Sequence, residues 1–412
     1  MKRLWTTAAA SALCLPLVTG MAFAGTHPTP SAAEVEEVHR SALVLDGHAD
    51  VLIEGTPRRY YLPDGTSRVS LDKLQAGAVD AVVLSLAVGP GGNDAAGIAE
   101  ARAEIEAKLA EVHSRVAASN GKLVIARTAD EVAKAERDGQ TAVILSFQNA
   151  RALGDDLGAI DSLYEEGVRV FAFNHAGHNS WSDSSRPSQG EPVALHGGLS
   201  SVGREAVGRL NRKGVLIDVS QLSSDALLQT LELSRVPVVA THSNARGLRE
   251  HTRSLSDAEL DAIKANGGVV QVTPFNTYIV KLDEAAKARI RPVRVAYGLS
   301  AEFNAGNDNY GTLPADRQQA FLDELAAVQP RATVSDYVDH IDYIAKRIGV
   351  EHVGIGTDFD HGAGVEGYNS AADSRAVTAE LLRRGYSAGQ ISNIWGGNFL
   401  RALRTAQNAR VV

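Results

Sequence analysis

Eight short runs rich in Val, Ile and Leu recur along this chain, and each ends in a polar or ionisable cluster. They cover residues 42–47, 79–88, 141–147, 168–174, 214–220, 236–241, 267–273 and 352–357. Stretches of helical character lie between them, at 95–118, 129–137, 156–166, 201–213, 223–234 and 256–265. Short, continuously apolar runs suit parallel strands buried on both faces. Eight of them alternating with helices predict an α/β fold, a (β/α)8 TIM barrel over 41–412, whose C-terminal strand ends form the functional face. The seventh unit departs from the pattern through a long insertion between Pro274 and His352. It holds the polar segment 302–313 and expected helices at 315–328 and 334–348. Such an insertion reads as a lid or an oligomer contact, with a homodimer among the expected assemblies. The chain closes with helices near 371–384 and 388–406, the second broken at Trp395-Gly396-Gly397-Asn398.

The N-terminus begins Met1-Lys2-Arg3, continues apolar to about Phe23 and ends in Ala22-Phe23-Ala24. That order is a secretory signal peptide over 1–24, so a periplasmic or secreted protein with no stable membrane span after cleavage is expected. Residues 25–40 read as a flexible leader. The one cysteine, Cys14, falls inside the signal, which leaves no disulfide and no thiolate ligand beyond it. Any metal centre must then use histidines and carboxylates. The formal net charge of −8 argues against nucleic acid or an anionic membrane as partner.

Four of the strand-end clusters carry most of the metal-capable residues. Asp46-Gly47-His48-Ala49-Asp50 closes the first strand. Residues i and i+2 of a strand share a face, so His48 and Asp50 can grip one cation from the barrel mouth. Asp358, in Gly356-Thr357-Asp358-Phe359-Asp360, can bind a metal or take a proton from metal-bound water, whereas Asp360 suits a capping role. His242 ends the sixth strand, as a ligand or as a histidine bonded to the barrel rim. His175 and His178 follow the fourth strand and can reach a substrate or an oxyanion, one of the two being structural. Arg253 lies beyond the sixth strand, where it either holds a carboxylate bidentately or is a plain surface arginine.

Several further segments add to these: Leu163-Tyr164-Glu165-Glu166-Gly167-Val168-Arg169, Asn174-His175 with Asn179, Gly198-Leu199-Ser200, Asp218-Val219-Ser220, Thr241-His242-Ser243-Asn244-Ala245-Arg246 and Gly397-Asn398-Phe399-Leu400-Arg401. Together they make the chain resemble the membrane dipeptidase (renal dipeptidase-like) family of metal-dependent, amidohydrolase-type barrels, from about Leu43 to Arg404. The resemblance implies two zinc ions sharing a glutamate and a water. It implies His48, Asp50 and Asp358 as ligands of the first zinc and His242 as a ligand of the second. It also implies His175 at the reacting carbonyl, Arg253 on the substrate carboxylate, and Asn179 among the substrate-binding residues.

Two positions depart from the family pattern. The third strand should end in the bridging glutamate, and Gln148 stands there; the fifth should be followed by a histidine, and Gln221 stands there. Gln148 cannot supply the negative charge that lets two cations sit close together, and an amide oxygen is a poor zinc ligand. One zinc site and a second that is weak or absent are therefore expected. The leading expectation is an exported zinc-dependent dipeptidase acting on dipeptides or similar small amides with a free carboxylate. Its rivals are a metal-poor binding protein on a dipeptidase scaffold and a hydrolase of another small ester or amide.

Overall fold

The computed structural model describes residues 29–302 and 310–411. Eight parallel strands stand side by side in chain order: β1 (Leu45–Asp50), β2 (Ala81–Ala87), β3 (Thr141–Gln148), β4 (Val168–Ala172), β5 (Leu216–Asp218), β6 (Val239–Ala240), β7 (Val269–Val272) and β8 (Val353–Ile355). The ring closes just beyond the last strand. The Asp358 N–H donates to His48 O at 2.8 Å, and the Asp50 N–H donates to Phe359 O at 2.9 Å. The expected (β/α)8 barrel is what the chain forms, and its seam is closed by backbone bonds of His48, Asp50 and Asp358.

Every residue of β2 and of β3 is buried. That is why these strands read as unbroken apolar runs: alternate side chains face the barrel interior and the surrounding helices. At the N-terminal mouth, Leu45, Ala81, Leu216, Val239 and Val269 share one buried cluster with Phe399, Leu400 and Leu403 of the helix Asn398–Asn408. Asn398 fixes that helix to β8 by donating to Val350 O and Val353 O, both at 2.8 Å. The floor is thus packed shut, and only the C-terminal end can hold a site.

Most helical boundaries match the sequence reading, including Ala95–Ala118, Ala129–Arg137 and Ser201–Lys213. Four features differ. The stretch read as a flexible leader, 25–40, contains a helix, Ala32–Ser41, whose Ser31 cap accepts from the Glu34 N–H and which buries Val35 and His39. The signal-peptide reading falls outside the described residues. A short strand, Leu123–Ile125, pairs with the outer part of β3, and a two-residue ribbon joins Asn244–Ala245 to Ser254–Leu255. Both are too short to show periodicity. The insertion also holds the short helix Asn276–Ile279 and the helix Glu284–Ala296, the latter masked in the sequence by the internal Pro292. Of the two helices expected there, Val334–Ile348 belongs to the barrel itself: it buries Tyr337, Val338, Ile341 and Ile344, and its Tyr337 hydroxyl donates to Val272 O at 3.0 Å.

Candidate active site

At the barrel seam, β1 and β8 bring three side chains together. His48 Nε2 lies 3.4 Å from Asp50 Oδ1 and 3.9 Å from Asp358 Oδ1, with all three residues buried. His48 Nε2 and Asp50 Oδ1 have no hydrogen-bond partner. Two ligands on a tetrahedral zinc sit about 3.4 Å apart, given metal–ligand bonds of about 2.0–2.2 Å. These orphaned atoms with Asp358 therefore fit one divalent cation. The local backbone is made for this convergence. Gly47 lets β1 pass Gln271, whose Nε2 lies 1.8 Å from where a Cβ would be. Asp358 and Asp360 adopt left-handed φ values of 56° and 64°, a strained conformation that Asp tolerates better than most residues. Asp46 spans the seam by accepting from the Thr357 N–H at 2.8 Å and the Thr357 hydroxyl at 2.6 Å.

The second side of the site is organised by Thr241. Its hydroxyl donates to Asp218 Oδ2 at 2.5 Å, which commits its only proton. The two ring nitrogens beside it, His242 Nδ1 at 2.8 Å and His48 Nδ1 at 3.2 Å, must then be the donors. In its neutral form each ring then carries its lone pair on Nε2. For His48 that lone pair faces the metal-competent trio. For His242 it accepts from Gln221 Nε2 at 3.3 Å, and Gln221 Oε1 in turn accepts from Arg186 Nη2 at 3.4 Å. His48, Asp218 and His242 also approach closely enough to suggest a second metal group. Asp218 is heavily engaged: its Oδ2 accepts from Thr241, and its Oδ1 accepts from the Ser220 N–H at 2.9 Å, the Ser220 hydroxyl at 2.5 Å and the Thr241 N–H at 3.0 Å. A second cation there would compete with these bonds and with the Gln221 contact to His242. Gln148 ends β3 buried, with its Nε2 unpartnered.

The histidines after β4 divide as the sequence allowed. His178 is structural: its Nδ1 accepts from the Ser184 N–H at 3.0 Å and its Nε2 donates to Pro192 O at 2.9 Å. His175 keeps an unpartnered Nδ1 and faces the cavity. Burial, aided by the neighbouring His361, holds its pKa well below the usual histidine range, so it is neutral. Asn179 corrects an expectation. Its amide donates to Asn149 Oδ1 and Phe173 O, and its oxygen accepts from the Trp181 and Ser182 N–H groups. All four of its hydrogen-bonding positions are used in shaping the loop, which leaves none for a substrate. Asp360 is likewise structural, accepting from the Ser67 hydroxyl and the Arg68 N–H. Arg253 is no surface arginine. It is buried, and it donates to Ser220 O and, at 3.0 Å, to His242 O, while its Nε lacks a partner.

Sequence reasoning missed His361. It follows Asp358-Phe359-Asp360 directly, and its Nδ1 lies 2.7 Å from Asp50 Oδ2. Its ring stacks on Tyr60 at 5.0 Å and meets His175 edge-on at 5.0 Å. Burial opposes its charge, but Asp50 and Tyr60 push its pKa up to about 10. The only available signal was a histidine three residues past a strand-end aspartate. These residues border a cavity of about 510 Å3, walled by Asp50, Arg59, Tyr60, His175 and His361. Arg59 also contacts Gln318 of the insertion at 3.3 Å, so the insertion reaches the cavity wall.

Residues 32–411 match the family model described as membrane dipeptidase (Peptidase family M19). The chain is 30% identical over 300 residues to dipeptidase verJ of Clonostachys rogersoniana, covering 72% of this chain and 63% of that protein. It is 27% identical over 380 residues to dipeptidase 3 of Homo sapiens, covering 90% of this chain and 66% of that one. The matched part is only 56% of dipeptidase tcpJ of Claviceps purpurea and 51% of dipeptidase aclJ of Aspergillus oryzae. Among solved structures, the probable dipeptidase PvdM from Pseudomonas aeruginosa is 34% identical and superimposes with a TM-score of 0.82, covering 92% of this chain and 98% of that one. The match over nearly the whole barrel, with the seam trio in place, shows that this chain belongs to the membrane dipeptidase family, Peptidase family M19.

Proposed function

We propose that the chain is an exported, zinc-dependent dipeptidase that cleaves dipeptides, or similar small amides with a free carboxylate, in the periplasm or outside the cell. The observation that carries this reading is the buried trio His48, Asp50 and Asp358, with two of its donor atoms left unpartnered. The relatives named dipeptidase support the substrate class. No helix among the described residues is long and apolar enough to cross a membrane.

A zinc ion bound by the trio would polarise the scissile carbonyl and lower the pKa of a water. The chain's own groups would do the rest. Asp358 takes the proton from the attacking water and returns it to the leaving amine; burial already raises its pKa, which suits a group that must both accept and release. His175, neutral and facing the cavity, donates to the carbonyl oxygen as charge develops. The Gln148 amide can donate beside it. Arg253 holds the substrate carboxylate with the N–H groups not given to Ser220 and His242. The test is zinc uptake together with turnover of a panel of dipeptides by the purified protein.

The Gln221–His242 contact favours a second reading, a binding protein on a dipeptidase scaffold. Dipeptide binding without turnover in the zinc-loaded protein would establish it.

A further inference from the structure

We infer that the guanidinium of Arg186, rather than a second metal ion, is the cation on the His242 side of this site, and that it receives a second anionic group of the substrate, distinct from the carboxylate held by Arg253. The inference rests on the proposed single-metal dipeptidase reading and adds a residue to it.

Four observations lead there. The lone pair that His242 would need for a metal is engaged by Gln221, and the oxygen of Gln221 faces Arg186. The line Arg186, Gln221, His242, Thr241, Asp218 runs from a cation to a carboxylate with each group donating to the next. Arg186 makes no ion pair among the described residues, and its Nε is buried without a partner. The guanidinium is half-buried and has no carboxylate partner among the described residues. The position is also built. Gly177 N–H donates to Arg186 O at 2.8 Å, Arg186 N–H donates to Ser184 Oγ at 3.1 Å, and Ser185 N–H donates to Gln221 O at 2.9 Å. These bonds fasten the loop after β4 onto the end of β5. The charge is near enough to bear on both His175 and Arg253. A planar fork with an unpartnered Nε suits a carboxylate.

The charge accounts for more than the two glutamines do. A divalent ion placed beside His242 would meet a fixed positive charge, so supplying better ligands would not be enough to hold it.

Zinc titration by calorimetry, with elemental analysis, tests this in the double variant Gln148→Glu/Gln221→His. With Arg186 intact, or with Arg186→Lys, one zinc ion per chain is expected. With Arg186→Gln added, two are expected. Two ions in the double variant with Arg186 intact would overturn the inference, as would a single ion in the triple variant. Circular dichroism checks folding. A second arm uses the otherwise unmodified protein, with and without zinc, and N-acetylaspartate as probe, whose second carboxylate is the one left for Arg186 once Arg253 holds the first. Arg186→Gln should weaken binding of that carboxylate at least about tenfold while leaving the first zinc site unchanged. Equal affinity would also overturn the inference. Failure of the underlying reading looks different: the parent protein would take up no zinc, while the metal-free arm would still report on Arg186.

Discussion

The Nδ1 of His361 lies 2.7 Å from Oδ2 of Asp50, and this contact decides which oxygen of that carboxylate is left for a metal. Oδ2 accepts from the imidazole, and Oδ1 is turned toward His48 Nε2 without another partner. Partners one step behind a ligand commonly set its orientation and basicity. Replacing His361 with Ala should therefore weaken zinc binding by about 10–100-fold without unfolding the barrel. His361→Asn, which can keep a donor near Oδ2, should recover part of the loss. Calorimetric zinc titration of the two variants checks this; equal affinity in parent and Ala variant would remove His361 from the metal's support.

Asp358→Asn should abolish most turnover while the fold persists. A neutral amide neither balances the metal's charge nor accepts a proton, and loss of a positioned acid–base group alone costs about 10²–10⁴-fold. Turnover of a dipeptide, alongside circular dichroism, is the check. An active, folded variant would exclude Asp358 from the chemistry.

Arg253→Ala should have two consequences at once. Loss of the guanidinium leaves the carbonyls of Ser220 and His242 buried without their donor, which costs roughly 2–4 kcal/mol of stability. It also removes the proposed carboxylate contact, which should raise KM more than it lowers kcat. Thermal unfolding and steady-state kinetics read the two separately. Unchanged stability would contradict the buried geometry, and an unchanged KM would contradict the substrate role.

Stability should fall on mild acidification through His340. Its Nδ1 accepts from the Ala245 N–H at 3.1 Å, so the ring must be unprotonated there, and burial pushes its pKa down to about 4 from an ordinary 6.5. Between those values the unfolded chain binds a proton that the folded chain refuses. Folding stability from this group is complete above about pH 6.5 and is lost as pH falls toward 4, to the extent of roughly 3 kcal/mol. Urea unfolding at a series of pH values should show this slope, and His340→Gln should flatten it.

What the sequence disclosed follows from length scale. The strands and long helices were legible because each buries a whole face, and that leaves a period in the residues. His48, Asp50 and Asp358 were legible because they end such strands. His361 and Arg186 were not, because they sit in irregular loops where only three-dimensional proximity gives them a role. Asn179 looked like a substrate contact because polar residues near a barrel mouth have no sequence mark separating loop support from chemistry. Thr241 stood in plain view beside His242, but its task, fixing two imidazole tautomers through one hydroxyl, exists only once the barrel brings the ends of β1, β5 and β6 together at its mouth. The leader was misread because its helix is held by tertiary contacts of Val35 and His39 rather than by length.

The central claim is that this dipeptidase-family barrel holds one metal at the β1–β8 seam, with no second cation beside His242. Titration of metal-free protein with zinc by calorimetry tests it most directly. The account predicts one tight zinc ion per chain, lost in His48→Ala and retained in His242→Ala. Two tight zinc ions per unmodified chain would contradict it.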